Sequence, residues 1–129
     1  MIYLDSSVAL AQLLAEDRRP PPSLWDESPL VSSRLLEYEV WNRINARGLA
    51  DTHGDDVRAL LGRIAFLELA PPVLARALEP FPARVRTLDA LHLASLEFLR
   101  GLGQRPRLAT YDQRLSAAAD SLGLELEAL

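Results

Sequence analysis

Patterns of short buried strands alternate with helical patterns along this 129-residue chain, and that order restricts the available folds most strongly. The apolar run at residues 1–4 predicts a strand, and the residues after Asp5 predict a helix over about 7–16. Strands that alternate with helices pair in parallel through right-handed crossovers. The chain is therefore predicted to form an α/β fold, a three-layer α/β/α sandwich with a mainly parallel sheet of about five strands.

Turn and capping residues set the limits of the later elements. Further strands are predicted at residues 30–32, 66–69, 107–111 and 124–126, and helices at about 35–47, 55–64 (after a turn at 51–54), 88–100 and 113–122, with a short one from 71. Gly48 and Gly123 fit the left-handed position after a helix. Thr87 is the predicted N-cap of the helix at 88–100. At this length the chain fits one domain, residues 1–129.

The composition excludes several classes of protein. The chain has no cysteine, so disulfides and thiolate metal sites are excluded. No basic region precedes the first apolar run and Asp5 interrupts it, so a signal peptide is not expected. No apolar stretch reaches the roughly 20 residues that span a bilayer. We therefore expect a cytoplasmic protein with no membrane segment.

All fourteen basic residues are arginine, although the formal net charge is −4. Codon bias in a GC-rich genome and a use of guanidinium groups for phosphate binding both explain this, and composition does not separate them. The absence of lysine argues against three other phosphate chemistries. Receiver-type phosphoacceptor domains and haloacid-dehalogenase-like phosphatases need a lysine, and a P-loop needs a Gly-Lys pair.

Three aspartates are predicted at the edge of the sheet where parallel strands end. Asp5 follows the first strand, Asp112 follows the strand at 107–111, and Asp89 lies in the first turn of a helix that enters from this edge. Sites in open α/β sheets form there. Each aspartate also suits a helix N-terminus, a role worth about 1 kcal/mol. Taken singly, these positions do not distinguish a cap from a site.

A fourth acid is expected from the helix at 35–47, where Glu37 and Glu39 border the apolar stripe on opposite sides. Periodicity does not choose between them. Clustered carboxylates repel one another, and a hard divalent cation such as Mg²⁺ or Mn²⁺ offsets that repulsion through oxygen ligands alone. Such a cation polarises phosphate groups and activates water, which is the chemistry of phosphodiester hydrolysis.

Four sequence blocks follow one another in a recognisable order: Ile-Tyr-Leu-Asp-Ser-Ser at 2–7, Val-Ser-Ser-Arg-Leu-Leu-Glu-Tyr-Glu-Val at 31–40, Leu-Asp-Ala-Leu-His-Leu-Ala at 88–94 and Thr-Tyr-Asp-Gln-Arg-Leu at 110–115. Together they resemble PIN-domain ribonucleases, specifically the VapC-type toxins of bacterial toxin–antitoxin pairs. The segment at 51–84 resembles the family only in its alternation of elements.

The resemblance implies a PIN-like fold and an endoribonuclease that uses Mg²⁺ or Mn²⁺ to cleave tRNA or ribosomal RNA. It also implies a homodimer and a cognate VapB-like antitoxin partner. Aligned with the family, Glu39 is the functional acid of its helix. The implied catalytic and metal-binding residues are Asp5, Glu39, Asp89 and Asp112, and the implied supporting residues are Ser7 and Thr110.

Other polar residues are assigned weaker roles. His92 follows Asp89 by three positions and is placed to hydrogen-bond it, and we favour a buried core histidine over a catalytic base. His53 is expected to be exposed. The candidates for binding RNA phosphates, in a positive patch beside the acids, are Arg43, Arg84, Arg86 and Arg114. The alternative function is a catalytically silent PIN fold that binds RNA or a protein, and the presence of all four acids favours the nuclease.

Overall fold

The structure is a computed structural model that describes residues 1–27 and 29–129. Within these residues, one or two of the six α-helices lie between each pair of successive strands in a set of five, and a short 3₁₀ helix lies at Pro22–Asp26. In chain order they are β1 (Ile2–Leu4), α1 (Ser6–Leu13), β2 (Leu30–Ser33), α2 (Leu35–Ala46), α3 (Ala50–Leu61), β3 (Ala65–Leu67), α4 (Pro71–Ala77), α5 (Thr87–Gly101), β4 (Arg107–Ala109), α6 (Gln113–Ser121) and β5 (Glu125–Leu126).

All strand pairs are parallel, and the sheet has the order β3-β2-β1-β4-β5. Successive side chains of a strand point to opposite faces of the sheet. In β1, Ile2 and Leu4 accordingly pack into one hydrophobic core and Tyr3 into another. Helices therefore cover both faces, and the predicted three-layer α/β/α fold is confirmed.

The two cores divide the helices between the faces of the sheet. Side chains of α1, α2 and α3 fill the first core, represented by Val8, Val40 and Val57. Side chains of α5 and α6 fill the second, represented by Leu96 and Leu115. All five of these residues are at most 1% exposed. Burial on both faces explains why β1, the middle strand of the sheet, has no charged or strongly polar position.

The order of the strands creates a crevice beside β1. From β1 the chain moves outward through β2 to β3, and then returns to the other side of β1 with β4. The crevice at such a reversal, outside the carboxyl ends of the strands, is the usual ligand site of an open α/β sheet. Asp5 directly follows β1, and its backbone N–H donates to the carbonyl oxygen of Ala109 at the end of β4 (3.0 Å).

Several predicted boundaries are wrong. The predicted turn at 51–54 belongs to α3, because the chain re-enters a helix directly after Gly48 and the Thr52 hydroxyl bonds the Leu49 carbonyl oxygen (3.2 Å). His53 is consequently half-buried in a helix and not exposed in a turn. The predicted extension of the first helix to residue 16 fails because Ala15 adopts the left-handed conformation (φ 50°).

Two other corrections lie near the crevice. β4 ends at Ala109, two residues earlier than predicted, because the Thr110 and Ser7 hydroxyls accept hydrogen bonds from the next backbone amides. Thr87 is the first residue of α5 and not its cap, since Arg86 holds the capping position without a side-chain hydrogen bond. The glycine predictions are confirmed: Gly48 and Gly123 both have positive φ.

Among the described residues, none of the helices combines the length and the apolar character needed to cross a membrane.

Candidate active site

A cavity of about 800 Å³ opens at the crevice between β1 and β4. All four acids implied by the sequence line it: Asp5, Glu39, Asp89 and Asp112. They come from the ends of two strands and from two helices that are distant in the sequence. The same cavity is bordered by Glu16 and Asp17 from the segment after α1. Glu37 does not line it and instead pairs with Arg34 (3.5 Å), so the structure brings Glu39 to the site.

Asp5 is held by two hydroxyl groups. The Ser7 Oγ donates to Asp5 Oδ2 at 2.6 Å, and the Thr110 Oγ1 donates to the same oxygen at 2.8 Å. Each hydroxyl also accepts a backbone N–H, from Tyr111 in the case of Ser7 and from Asp112 in the case of Thr110 (both 2.9 Å). Because both hydroxyls donate to Asp5 Oδ2 and are themselves held by backbone amides, this oxygen is fixed in place where β1 and β4 end.

Both aspartates that follow a strand also cap a helix. Asp5 caps α1 by accepting the Ser7 N–H on Oδ2 (3.4 Å). Asp112 caps α6 by accepting the N–H groups of Arg114 (2.9 Å) and Leu115 (3.3 Å) on Oδ1. In each carboxylate the other oxygen accepts no hydrogen bond from a described residue. The capping role and a role in the site are therefore compatible in the same side chain.

Glu39 is anchored by a chain of hydrogen bonds through the second core. Its Oε1 lies 2.6 Å from His92 Nε2, and the other ring nitrogen of His92 lies 2.7 Å from the Tyr3 hydroxyl. The Tyr3 oxygen in turn accepts the N–H of Ser33 (3.2 Å). An ionised carboxylate only accepts, so His92 Nε2 carries the hydrogen, and in the neutral ring Nδ1 accepts from Tyr3.

Burial and nearby negative charge act in opposite directions on the pKa of His92. Burial, the largest influence, lowers the pKa of His92, but the hydrogen bond and charge of Glu39 and the charges of Asp5 and Asp89 outweigh it and leave that pKa raised. Burial also raises the pKa of Tyr3 far above its usual range, so its hydroxyl keeps its proton. His92 is 1% exposed and does not bond Asp89, which corrects the predicted partner.

The acidic cavity disfavours the ionised form of Asp89. Partial burial raises the pKa of its carboxyl group, and the negative charges of Asp112 and Asp5 raise it further, against smaller opposing effects of His92 and Arg86. A carboxyl group whose pKa is raised by like charges is one that a cation would stabilise in its ionised form. This repulsion, together with oxygen-only donors, fits a hard divalent cation.

The side chains do not stand in a coordination shell. Across residues 1–27 and 29–129, no three His, Asp or Glu side chains are close enough together to hold one ion. The four carboxylates thus share a cavity, and ion binding would draw them closer than they lie in this structure.

Three arginines border the acidic cavity: Arg18, Arg43 and Arg86. Within the described part of the chain none of them pairs with a carboxylate, whereas six arginines that do not line the cavity do so: Arg34, Arg58, Arg76, Arg100, Arg105 and Arg107. The cavity arginines are therefore free to meet a negatively charged ligand, and the guanidinium group is well suited to phosphate.

A sequence profile of one known family, described as the PIN domain, matches residues 2–121. The chain belongs to the PIN domain family. This PIN domain is also similar to curated proteins of Mycobacterium tuberculosis. It is 37% identical to "Ribonuclease VapC46" over 95% of this chain and 93% of that protein. It is 31% identical to "Ribonuclease VapC35" (99% and 96%) and 29% identical to "Ribonuclease VapC47" (95% and 93%). Similarity over nearly the full length identifies it as a PIN domain of the VapC type.

The PIN domain structure sorts the predicted arginines into two groups. Arg43 and Arg86 line the acidic cavity, whereas Arg84 and Arg114 are exposed elsewhere. Arg18 lines the cavity but was missed from the sequence, because it lies in an irregular segment that periodicity does not place. The run of three prolines that begins at Pro20 was the available sequence signal, because it restricts the backbone directly after Arg18. In the structure Pro20 is buried.

Proposed function

We propose that this PIN domain, residues 1–129, is an endoribonuclease that hydrolyses phosphodiester bonds in tRNA or ribosomal RNA. We propose further that it acts in the cytoplasm as the toxin of a toxin–antitoxin pair. The single observation that carries the proposal is the cavity in which all four acids from distant parts of the chain meet at the end of the sheet. The names of its relatives, each a ribonuclease of the VapC type, support the same activity.

Asp5, Glu39, Asp89 and Asp112 are the residues that would hold Mg²⁺ or Mn²⁺. When bound, the ion supplies a Lewis acid that polarises a phosphate, activates water and stabilises the leaving oxygen. Ser7 and Thr110 keep Asp5 Oδ2 in place through their hydroxyls. His92 and Tyr3 orient Glu39 from the core side. Asp5, Glu39 and Asp112 are thus held by hydrogen bonds within the fold before any ligand binds.

The arginines supply the complementary half of the site. The protein carries a net charge of −4, so long-range electrostatics do not attract RNA. Arg43 and Arg86 border the acidic cavity without carboxylate partners among the described residues and would contact the phosphates on either side of the reacting one. Affinity for RNA is then local to this cavity and sensitive to salt.

Cleavage of a mixed pool of tRNA and ribosomal RNA by the purified protein tests the proposal. Reactions with Mg²⁺, with Mn²⁺ and with chelator are compared, alongside the Asp5→Asn variant. Discrete fragments that disappear with chelator and in the variant are expected. An absence of cleavage with either metal, by folded protein free of antitoxin, would instead favour the alternative, a PIN fold that binds RNA or a protein without cutting.

The proposed partners are a second copy of the chain and a VapB-like antitoxin. Both follow from membership of the VapC type. Light scattering of the purified protein tests the homodimer, and inhibition of RNA cleavage by the co-expressed antitoxin tests the second partner. A monomer at all concentrations, or cleavage that the antitoxin leaves unchanged, would contradict the respective proposal.

A further inference from the structure

Arg18 and Tyr111 form a ridge between two cavities. The acidic cavity lies on one side, and a second cavity of about 330 Å³ lies on the other. Arg18, Tyr111 and Asp112 line both, and the second cavity is completed by Thr110, Gln113, Ser116, Leu129 and Glu127, whose carboxylate pairs with Arg107. A strand that leaves the acidic cavity in this direction must therefore cross the Arg18–Tyr111 ridge.

Arg18 is held on this ridge by two contacts with Tyr111. Its guanidinium carbon lies 5.8 Å from the centre of the Tyr111 ring, within the range of a cation–π interaction. Its Nη1 donates to the Tyr111 carbonyl oxygen at 3.4 Å. These contacts engage one N–H and one face of the guanidinium group, so several of its five N–H donors remain free for a ligand.

The chain on both sides of Arg18 restricts its position. Ala15 turns the chain sharply at the end of α1, with φ 50°. On the other side Pro20 is buried, and a residue that precedes a proline, here Arg19, is confined to extended conformations. Arg18 is therefore brought to the cavity by a short segment anchored at both ends, which reduces the entropy lost when it binds a ligand.

The charge of Arg18 has no partner among the described residues. Glu16 and Asp17 border the same cavity, and neither forms an ion pair with it. A cation that stacks on an aromatic ring between two cavities, with no carboxylate bound, is complementary to a phosphodiester. Arg19 is also exposed but lines neither of these two cavities.

We propose that Arg18, held by Tyr111, binds a backbone phosphate of the RNA strand as the strand passes from the acidic cavity over the ridge toward the second cavity. This inference rests on the proposed ribonuclease function and adds a binding position to it. Arg18 contacts the substrate away from the bond that breaks, so it contributes to substrate affinity and not to the chemical step.

The test compares Arg18→Ala with Arg19→Ala, two neighbouring variants that each remove one exposed positive charge. Binding of a short fluorescein-labelled single-stranded RNA of mixed sequence is measured by anisotropy in chelator, where cleavage is absent. Arg18→Ala should bind about tenfold more weakly than wild type, whereas Arg19→Ala should match wild type. The slope of log affinity against log salt should fall by about 0.7 in Arg18→Ala only.

Cleavage in Mn²⁺ supplies the second measurement. Arg18→Ala should raise KM about tenfold and leave kcat within about twofold, which is the pattern for a lost ground-state contact. Arg18→Lys keeps the positive charge but loses the planar guanidinium group, which can donate two parallel hydrogen bonds. Its KM should lie between those of Arg18→Ala and wild type. Equal affinity and equal KM in Arg18→Ala and Arg19→Ala, with wild type active, would overturn the proposed role of Arg18. The proposed ribonuclease activity would be unaffected. Wild-type protein that neither binds nor cleaves RNA would overturn both.

Discussion

Asp5 and Asp112 show how one side chain serves both the fold and a site. Each uses one carboxylate oxygen at the start of a helix, and the second oxygen accepts no hydrogen bond from the described residues. Both caps lie at the same cavity as a third acid, Asp89, whose pKa is raised by burial and by the negative charges of Asp112 and Asp5.

Asp89→Asn should abolish RNA cleavage and leave the metal-free protein as stable as wild type or more so at pH 7. A raised pKa in the folded state means that ionised Asp89 opposes folding, and the amide removes this repulsion. As the pH falls through the raised pKa, Asp89 takes up a proton in the wild type. The advantage of the variant should therefore shrink toward about pH 4.

Thermal unfolding in chelator at several pH values measures this difference, with Asp26→Asn, an exposed acid outside the cavity, as the control. A large loss of stability in Asp89→Asn at neutral pH would show that Asp89 acts mainly by complementing the N-terminus of α5.

His92→Ala should lower the free energy of unfolding by about 2–4 kcal/mol. The change removes the partner of the buried Tyr3 hydroxyl and of Glu39, and it leaves a cavity in the second core. Urea unfolding measures the loss. His53→Ala is the matched control, because among the described residues the His53 ring bonds only the neighbouring Thr52, and its loss should change stability by about 0.5 kcal/mol or less. Equal losses would contradict the anchoring role of His92.

At the scale of elements, helix ends decide where functional side chains lie. α1 and α2 end in the same way, with a residue in the left-handed conformation followed by an N–H that donates back to the last turn: Glu16 to Ala11 (3.1 Å) and Leu49 to Ile44 (3.0 Å). In α2 the left-handed residue is Gly48, whereas in α1 it is Ala15. The end of α1 directs the chain toward Arg18 and the cavity.

Ala15→Gly should raise the free energy of unfolding by about 0.5–1 kcal/mol, because a left-handed alanine costs about 1–2 kcal/mol and the added freedom of the unfolded chain returns part of this. Gly48→Ala should have the opposite effect, a loss of about 1 kcal/mol. A side chain at Gly48 would meet no atom within 4 Å, so backbone conformation alone is responsible. Chemical unfolding measures the change in the free energy of unfolding for both variants. An Ala15→Gly protein less stable than wild type would contradict the expectation.

At the scale of the whole molecule, the sheet order concentrates opposite charges at one edge of an acidic protein. The carboxylates repel one another before a ligand binds, and beside them lie arginines that form no ion pair with any residue the structure describes. A cation bound in this cavity would offset the repulsion between the carboxylates. Because such a ligand binds only the folded state, it raises the stability of the protein.

Mn²⁺ or Mg²⁺ should therefore raise the melting temperature of the whole domain. At a free concentration about ten times Kd the gain is about 1.4 kcal/mol, which corresponds to about 5 °C for a chain of this size. Differential scanning fluorimetry with and without the ion measures the shift. Asp5→Asn and Asp89→Asn should show little of it. A shift of the same size in these variants would place the ion elsewhere on the protein.

The sequence by itself determined the layers of the fold and the edge of the site. Local patterns suffice for this, since apolar strands, amphipathic helices and glycine caps depend on near neighbours, and parallel strands end at one edge. The three aspartates followed from where the predicted strands end, whereas the choice of Glu39 over Glu37 followed from family resemblance because periodicity did not separate them.

The tertiary structure decided what depends on contacts between distant residues. Glu39 rather than Glu37 reaches the cavity because His92, 53 positions away, bonds it from the core. β4 ends early because the hydroxyls of Ser7 and Thr110 accept hydrogen bonds from the amides of the two residues at 111 and 112. Arg18 reaches the site through an irregular segment whose course is set by its left-handed start and a buried proline. No local pattern encodes these partners, since each depends on how the sheet order folds the chain back on itself.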